Sequence, residues 1–178
     1  MKEKSGEHPL GDVGQIVLFG LFMIVWILDS FFLRWSTFLS DHIPLVFRLA
    51  MLGITLTIAT YLFRSGHVVV NHEQRSTGVV SSGAFRYVRH PLYLGSILIY
   101  FGLTASTASL LCLILMIVIF LFYNAIAGYE EKLLEIKWGD AYLAYKKKSG
   151  KWLPMFGKRL WQRSDSEKKT SPGRTNSR

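Results

Sequence analysis

The chain has 178 residues, a formal net charge of +9 and a mean hydropathy of +0.26, and half of its residues are hydrophobic. A soluble domain does not combine that hydropathy with that charge unless the two are segregated, and here long apolar runs alternate with short basic ones, which points to an integral membrane protein. The length suits one domain and a tail, the lone Cys112 offers no intrachain disulfide, and neither zinc-type Cys/His spacing nor a glycine-rich nucleotide loop occurs.

The first apolar run, about Val13 to Leu33, is long enough to cross a bilayer. Asp29 lies near its end, where it is expected to reach the interface. The run is too long for a signal peptide, and no small-x-small cleavage pattern follows before Arg34 and Trp35. The second run extends from about Ile43 to Phe63. Pro44 suits its first turn, Arg48 is placed to extend its guanidinium to the surface, and Thr55, Thr57 and Thr60 are placed to bond back to the helix.

From Arg64 to His90 the chain turns polar and basic. Val68 to Val70 reads as a short extended piece, and Gly78 and Gly83 mark bends. So long a connector is characteristically functional or disordered, and its valines and aromatics favour function.

A third apolar segment starts at Pro91 and ends near Thr104, short for a full crossing. A fourth begins near Ala105, stays apolar to Ala127 and continues helix-compatible through Leu134. The tight, uncharged link from Thr104 to Ser109 makes the pair a helical hairpin, the fourth helix projecting beyond the bilayer. Gly139 is expected to interrupt it. A short amphipathic piece with Tyr142, Leu143 and Tyr145 follows, ended by Pro154. The Ser/Lys/Arg-rich tail, 157–178, has a disordered composition. The expected fold is thus all-α and integral to the membrane, with about four transmembrane helices. One domain covers 1–156, its cofactor-binding half about 64–156.

Lys and Arg concentrate in the connector after the second span and after the fourth. The links at Arg34 to His42 and at the hairpin tip are nearly uncharged. The positive-inside rule puts the basic segments and both termini in the cytosol. This basic charge borders apolar spans, so membrane lipids are the expected partner, not nucleic acid.

A hairpin brings its open ends together. Arg89-His90-Pro91, Tyr93, Leu94 and Gly95 should meet Glu130-Glu131 and then Tyr142, Tyr145 and Lys151. Ionisable groups near membrane depth are costly and usually functional. Each feature has an ordinary alternative. His90-Pro91 is also a plain helix start, Glu130-Glu131 a solvated pair on an emerging helix, and Tyr142 and Tyr145 interface anchors. Their convergence is what points to a site.

The run GVVSSGAFRYVRHPLYLG, followed by EEKLLEIKWGDAYLAYKKKSGKWLP, resembles the isoprenylcysteine carboxyl methyltransferase family and the related phospholipid methyltransferases. The likeness covers about Gly78 to Pro154 and rests on Arg89-His90-Pro91, Tyr93, Gly95, Glu130-Glu131, Tyr142, Tyr145, Lys151 and Pro154. Where that family commonly has arginine before the terminal proline, this chain has Lys151, which keeps the charge and lacks the planar fork. The resemblance implies an S-adenosylmethionine-dependent methyltransferase, with His90, Arg89 and Glu131 central to its reaction. It implies donors to the cofactor's carboxylate from His90, Arg89 or Lys151. Acceptors for its ammonium and ribose come from Glu130 and Glu131, and an adenine wall from Tyr93, Leu94 and Tyr145. Gly95 would admit close approach, and Tyr142 completes the set. The implied acceptor is lipidic or small and hydrophobic, such as an isoprenylcysteine carboxylate. Competing readings are a phospholipid amine N-methyltransferase, a nicotinamide-dependent membrane reductase and a non-catalytic membrane scaffold.

Overall fold

The computed structural model describes residues 9–73 and 78–155, with side chains from 13–67 and 78–155. The basic tail expected at 157–178 lies outside the described residues. Among the described residues five α-helices follow in chain order: α1 (Pro9–Ile27), α2 (Leu45–Glu73), α3 (Pro91–Thr107), α4 (Leu110–Trp138) and α5 (Asp140–Lys148). Among the described residues three apolar segments are long enough to cross a membrane, Val13–Leu33, Leu45–His67 and Leu110–Trp138, and α3 is a shorter apolar helix. At 1.5 Å per residue α4 runs about 43 Å and α3 about 26 Å, against a hydrocarbon core of roughly 30 Å. As expected, the fourth helix is longer than a hydrocarbon core is thick and the third is shorter.

Local chemistry sets the helix ends. Pro91 occupies the first turn of α3, where its missing N–H removes nothing. Ala108 takes the left-handed conformation at the hairpin tip, and the Ser109 hydroxyl caps α4 by accepting from Cys112 N at 3.1 Å. Gly139, at φ 50°, closes α4. The hairpin turn is tighter than the sequence suggested. The helix α3 runs on to Thr107, and α4 starts at Leu110 and not near Ala105, because Ser109 supplies the cap.

Three other expectations are corrected. Val68 to Val70 are helical: α2 continues to Glu73 in place of an extended piece, since nothing breaks the helix before that point. α5 ends at Lys148, well before Pro154. Asp29 does not reach the interface. It is 1% exposed, in a π-helical turn, Leu28–Leu33, at the end of α1. Its carboxylate accepts from Ser36 N at 3.1 Å, from Ser36 Oγ at 2.5 Å and from Ser109 Oγ at 2.5 Å.

The dominant packing is antiparallel, α2 along α3. Gly66 meets Leu92 at one end of the pair, and Arg48 reaches the Ser106 carbonyl at 3.0 Å at the other. Between them Gly102 lies so close to Thr55 that a Cβ there would overlap the Thr55 hydroxyl. Glycine is required at that crossing. The core joins α1, α3 and α4 through Phe22, Tyr100, Cys112, Ile119 and Tyr123. Trp26 of α1 donates to the Leu103 carbonyl at 3.0 Å. The hairpin's open end carries His90, and its tip carries Ala108.

Candidate active site

The segment before α3 and the segment after α5 meet at the open end of the hairpin. Val88 and Gly150 form an isolated parallel bridge. Arg89 N donates to Gly150 O at 2.8 Å, and Gly150 N to Tyr87 O at 3.3 Å. A Cβ on Gly150 would overlap the Leu153 carbonyl, so the turn that carries Lys151 and Trp152 over this end needs glycine.

A buried clasp forms the inner part of the site. Arg89 Nε stands 2.9 Å from Glu131 Oε1. Arg89 also donates to the Ser149 carbonyl at 2.5 Å and the Lys146 carbonyl at 3.4 Å. Lys146 Nζ reaches Glu131 Oε2 at 3.2 Å and Glu135 Oε1 at 2.5 Å. The Glu135 contact holds the Lys146 ammonium above its ordinary value, with Glu131 adding to the effect. Tyr142 is buried beside this clasp. Burial pushes its phenol up, and the Glu131 charge pushes it further.

The outer part is aromatic and half open. The His90 ring stacks on Tyr93 at 5.6 Å and lies 5.9 Å from Trp152. Its two nitrogens face two carboxylates, Nδ1 at 3.6 Å from Glu130 Oε2 and Nε2 at 3.3 Å from Glu131 Oε1. Tyr93 Oη donates to Glu130 Oε1 at 2.5 Å. Glu130 keeps 25% of its side chain exposed, Glu131 only 9%. Lys151 Nζ is held by neutral oxygens, Asn124 O at 3.0 Å and Asn124 Oδ1 at 2.8 Å. Trp152 Nε1 shares that Oδ1 at 3.1 Å.

The candidates thus separate into groups. His90, Tyr93, Glu130, Glu131 and Arg89 come together. Lys151 joins them through Trp152, which lies against the His90 ring. Tyr145 points elsewhere, its hydroxyl donating to the Phe85 carbonyl at 2.7 Å while its ring lies 5.8 Å from Tyr142. Leu94 is half-buried on α3, and a Cβ on Gly95 would stand 3.0 Å from the Phe63 ring of α2. Sequence reasoning missed Asn124, Trp152, Lys146 and Ser149. An amide inside the apolar run of α4 was the available signal for Asn124. Nothing in local sequence marked Ser149, which contributes a backbone carbonyl.

This is a helical membrane protein with a compact polar site where a hairpin's open end meets a C-terminal turn. The chain belongs to the phospholipid methyltransferase family, whose model matches residues 45–141, just over half its length. Over 133 residues it is 28% identical to the protein-S-isoprenylcysteine O-methyltransferase of Schizosaccharomyces pombe, covering 69% of this chain and 56% of that protein. The chain therefore spans little more than half the length of that relative. Both matches bear out the resemblance carried by Arg89-His90-Pro91 and Glu130-Glu131.

Proposed function

We propose that the chain is an S-adenosylmethionine-dependent membrane methyltransferase acting on a lipidic acceptor, with an isoprenylcysteine carboxylate as the leading candidate. The carrying observation is that His90, Glu130 and the Lys151–Trp152 turn share one end of the bundle with both charge signs exposed between aromatic rings. Family membership and the fission-yeast relative support the class.

The residues suit the cofactor. Lys151 has no carboxylate within ion-pair range among the described residues, which leaves its charge for an anionic group such as the methionine carboxylate. Glu130, the more exposed acid, serves as acceptor for the ammonium or a ribose hydroxyl. Trp152 provides a flat apolar face for adenine, beside the stacked rings of His90 and Tyr93. The clasped pair Arg89 and Glu131 serves to hold this surface in place. When bound, S-adenosylmethionine supplies a methyl group already activated by its sulfonium. The protein's work is then alignment and exclusion of water. A carboxylate acceptor needs no general base, and no Ser/His/Asp arrangement is required.

Under this reading the His90 end faces the cytosol, in keeping with the basic residues that flank it. The acceptor enters sideways from the bilayer, between apolar helix walls. Residues 1–156 act as one unit, its cofactor-binding half at about 64–156. The family model's name favours a second acceptor class, a phospholipid amine, which must arrive unprotonated.

Calorimetric titration of the purified protein with S-adenosylmethionine and with a nicotinamide cofactor tests the class. Binding of the first alone is expected, and binding of neither would return the scaffold reading. Labelled methyl transfer to a farnesylated cysteine, compared with phosphatidylethanolamine, then separates the two acceptors.

A further inference from the structure

Asn124 stands in the apolar run of α4, between Leu121-Phe122-Tyr123 and Ala125-Ile126-Ala127. At 1.5 Å per residue it lies about 21 Å along the helix from Leu110, within a hydrocarbon thickness of roughly 30 Å. An amide at that level is costly unless it is hydrogen-bonded, so its bonds show what it is there to hold.

They hold the turn after α5. Asn124 Oδ1 accepts from Lys151 Nζ at 2.8 Å and from Trp152 Nε1 at 3.1 Å, and the Asn124 carbonyl accepts from Lys151 Nζ at 3.0 Å. An ammonium and an indole N–H are donors only, so they fix which way the amide faces, oxygen toward the turn. A Cβ on Gly128, one turn further along α4, would stand 3.8 Å from the same Nζ. Lys151 therefore lies along the Asn124–Gly128 side of the helix, its Nζ 5.7 Å from the centre of the Trp152 ring.

Two features set this apart from a plain tether. Both oxygens are neutral, so they hold the ammonium without cancelling its charge, whereas Lys146 is held by the carboxylates of Glu131 and Glu135. Of the three N–H donors on Lys151 Nζ, two go to Asn124, and the third has no acceptor among the described residues. We infer that Asn124 is a positioning residue for the methyl donor. It holds the Lys151 ammonium, its charge uncancelled and one N–H open, where it takes the carboxylate of S-adenosylmethionine. This rests on the functional reading above. The Trp152 ring has other supports, the His90 ring at 5.9 Å and the Phe120 ring at 5.6 Å, so Lys151 is the part of the turn that depends most on Asn124.

The test is calorimetric titration of the purified full chain with S-adenosylhomocysteine, which keeps the cofactor's amino-acid group, and with methylthioadenosine, which lacks it. The parent is expected to bind the first more tightly. Asn124→Asp keeps an oxygen for both donors but sets a carboxylate against Lys151. Its affinity for S-adenosylhomocysteine should fall about tenfold, and that for methylthioadenosine by less than about twofold. Asn124→Leu should show the same selective loss, and that loss should not add to the loss in Lys151→Met. A residue that only fastened the turn would tolerate Asn124→Asp. An unchanged preference for S-adenosylhomocysteine in Asn124→Asp would therefore overturn the inference, which covers the case of an Asn124→Leu protein that does not fold. Additive losses in the double variant would overturn it too. A parent that binds both compounds equally would overturn this inference alone, whereas a parent that binds neither would overturn the functional reading and the inference with it.

Discussion

Arg89 and Glu131 are 42 residues apart in sequence, yet their side chains meet at 2.9 Å with about nine-tenths of each out of reach of solvent. The contact joins the segment before α3 to the projecting part of α4. Through the Ser149 carbonyl the same guanidinium also holds the turn after α5. Removing one member of a buried, multiply bonded pair leaves the other charge uncompensated, at a cost of about 3–5 kcal/mol. Arg89→Gln should therefore lower the thermal stability sharply and loosen the Val88–Gly150 bridge. Thermal unfolding in detergent measures the first effect, and proteolysis between Ser149 and Leu153 the second. An Arg89→Gln protein as stable as the parent would show the clasp to be incidental.

Glu130 should behave differently from its neighbour. Its carboxylate accepts from Tyr93 and approaches His90, but a quarter of the side chain stays exposed. Glu130→Gln keeps the shape and removes the charge. Stability is expected to change by less than about 1 kcal/mol, whereas affinity for S-adenosylmethionine should fall about tenfold, the loss of one charge-assisted hydrogen bond. Calorimetry on the two proteins at matched folding decides it. A Glu130→Gln protein with the parent's affinity would remove this residue from the cofactor reading.

The hairpin was legible because its signals are local. Pro91 starts a helix, small uncharged residues make the tip, and Gly139 stops α4. The meeting of His90 with Glu130 and Glu131 followed from that hairpin alone. The Lys151–Trp152 turn did not, because its position depends on the Val88–Gly150 bridge and the close approach of Gly150 to Leu153. Gly95 left two readings open for a related reason. A glycine on a short apolar helix is compatible with close approach by a ligand or by another helix, and here Phe63 occupies that side. Asp29 read as an interfacial residue because hydropathy cannot register the two serines, one of them 80 residues away, that satisfy it inside the bundle.

Alkaline pH should weaken the α5 end first. Both Tyr142 and Lys146 hold their protons more tightly in the folded chain than their ordinary values of 10.0 and 10.5. For such groups stability is fully present below the unfolded pKa. It is lost as pH rises above it, because the unfolded chain releases protons that the folded chain keeps. Thermal stability is expected to be flat from about pH 7 to 9 for these groups and to fall from about pH 10 upward. Tyr142→Phe removes one of the two groups and should make the alkaline fall shallower. Unfolding scans across that range on both proteins provide the check, and parallel slopes would contradict it.

At the opposite end Asp29 and Ser109 tie the first span to the hairpin tip. Ser109 Oγ donates to the Asp29 carboxylate at 2.5 Å and accepts from Cys112 N at 3.1 Å, so one hydroxyl caps α4 and satisfies a buried acid. Ser109→Ala loses the cap, about 1 kcal/mol, and leaves the Asp29 carboxylate one donor short. Asp29→Asn keeps the size, drops the charge and retains an acceptor oxygen for Ser36 or Ser109. The serine variant should therefore be the less stable of the two. Because this node is at the tip and the residues proposed to hold the methyl donor are at the open end, binding of S-adenosylmethionine per folded molecule should be unchanged in both. Thermal unfolding beside calorimetry separates the effects. An Asp29→Asn protein less stable than Ser109→Ala would mean that the carboxylate's charge, not the shared hydroxyl, carries the contact.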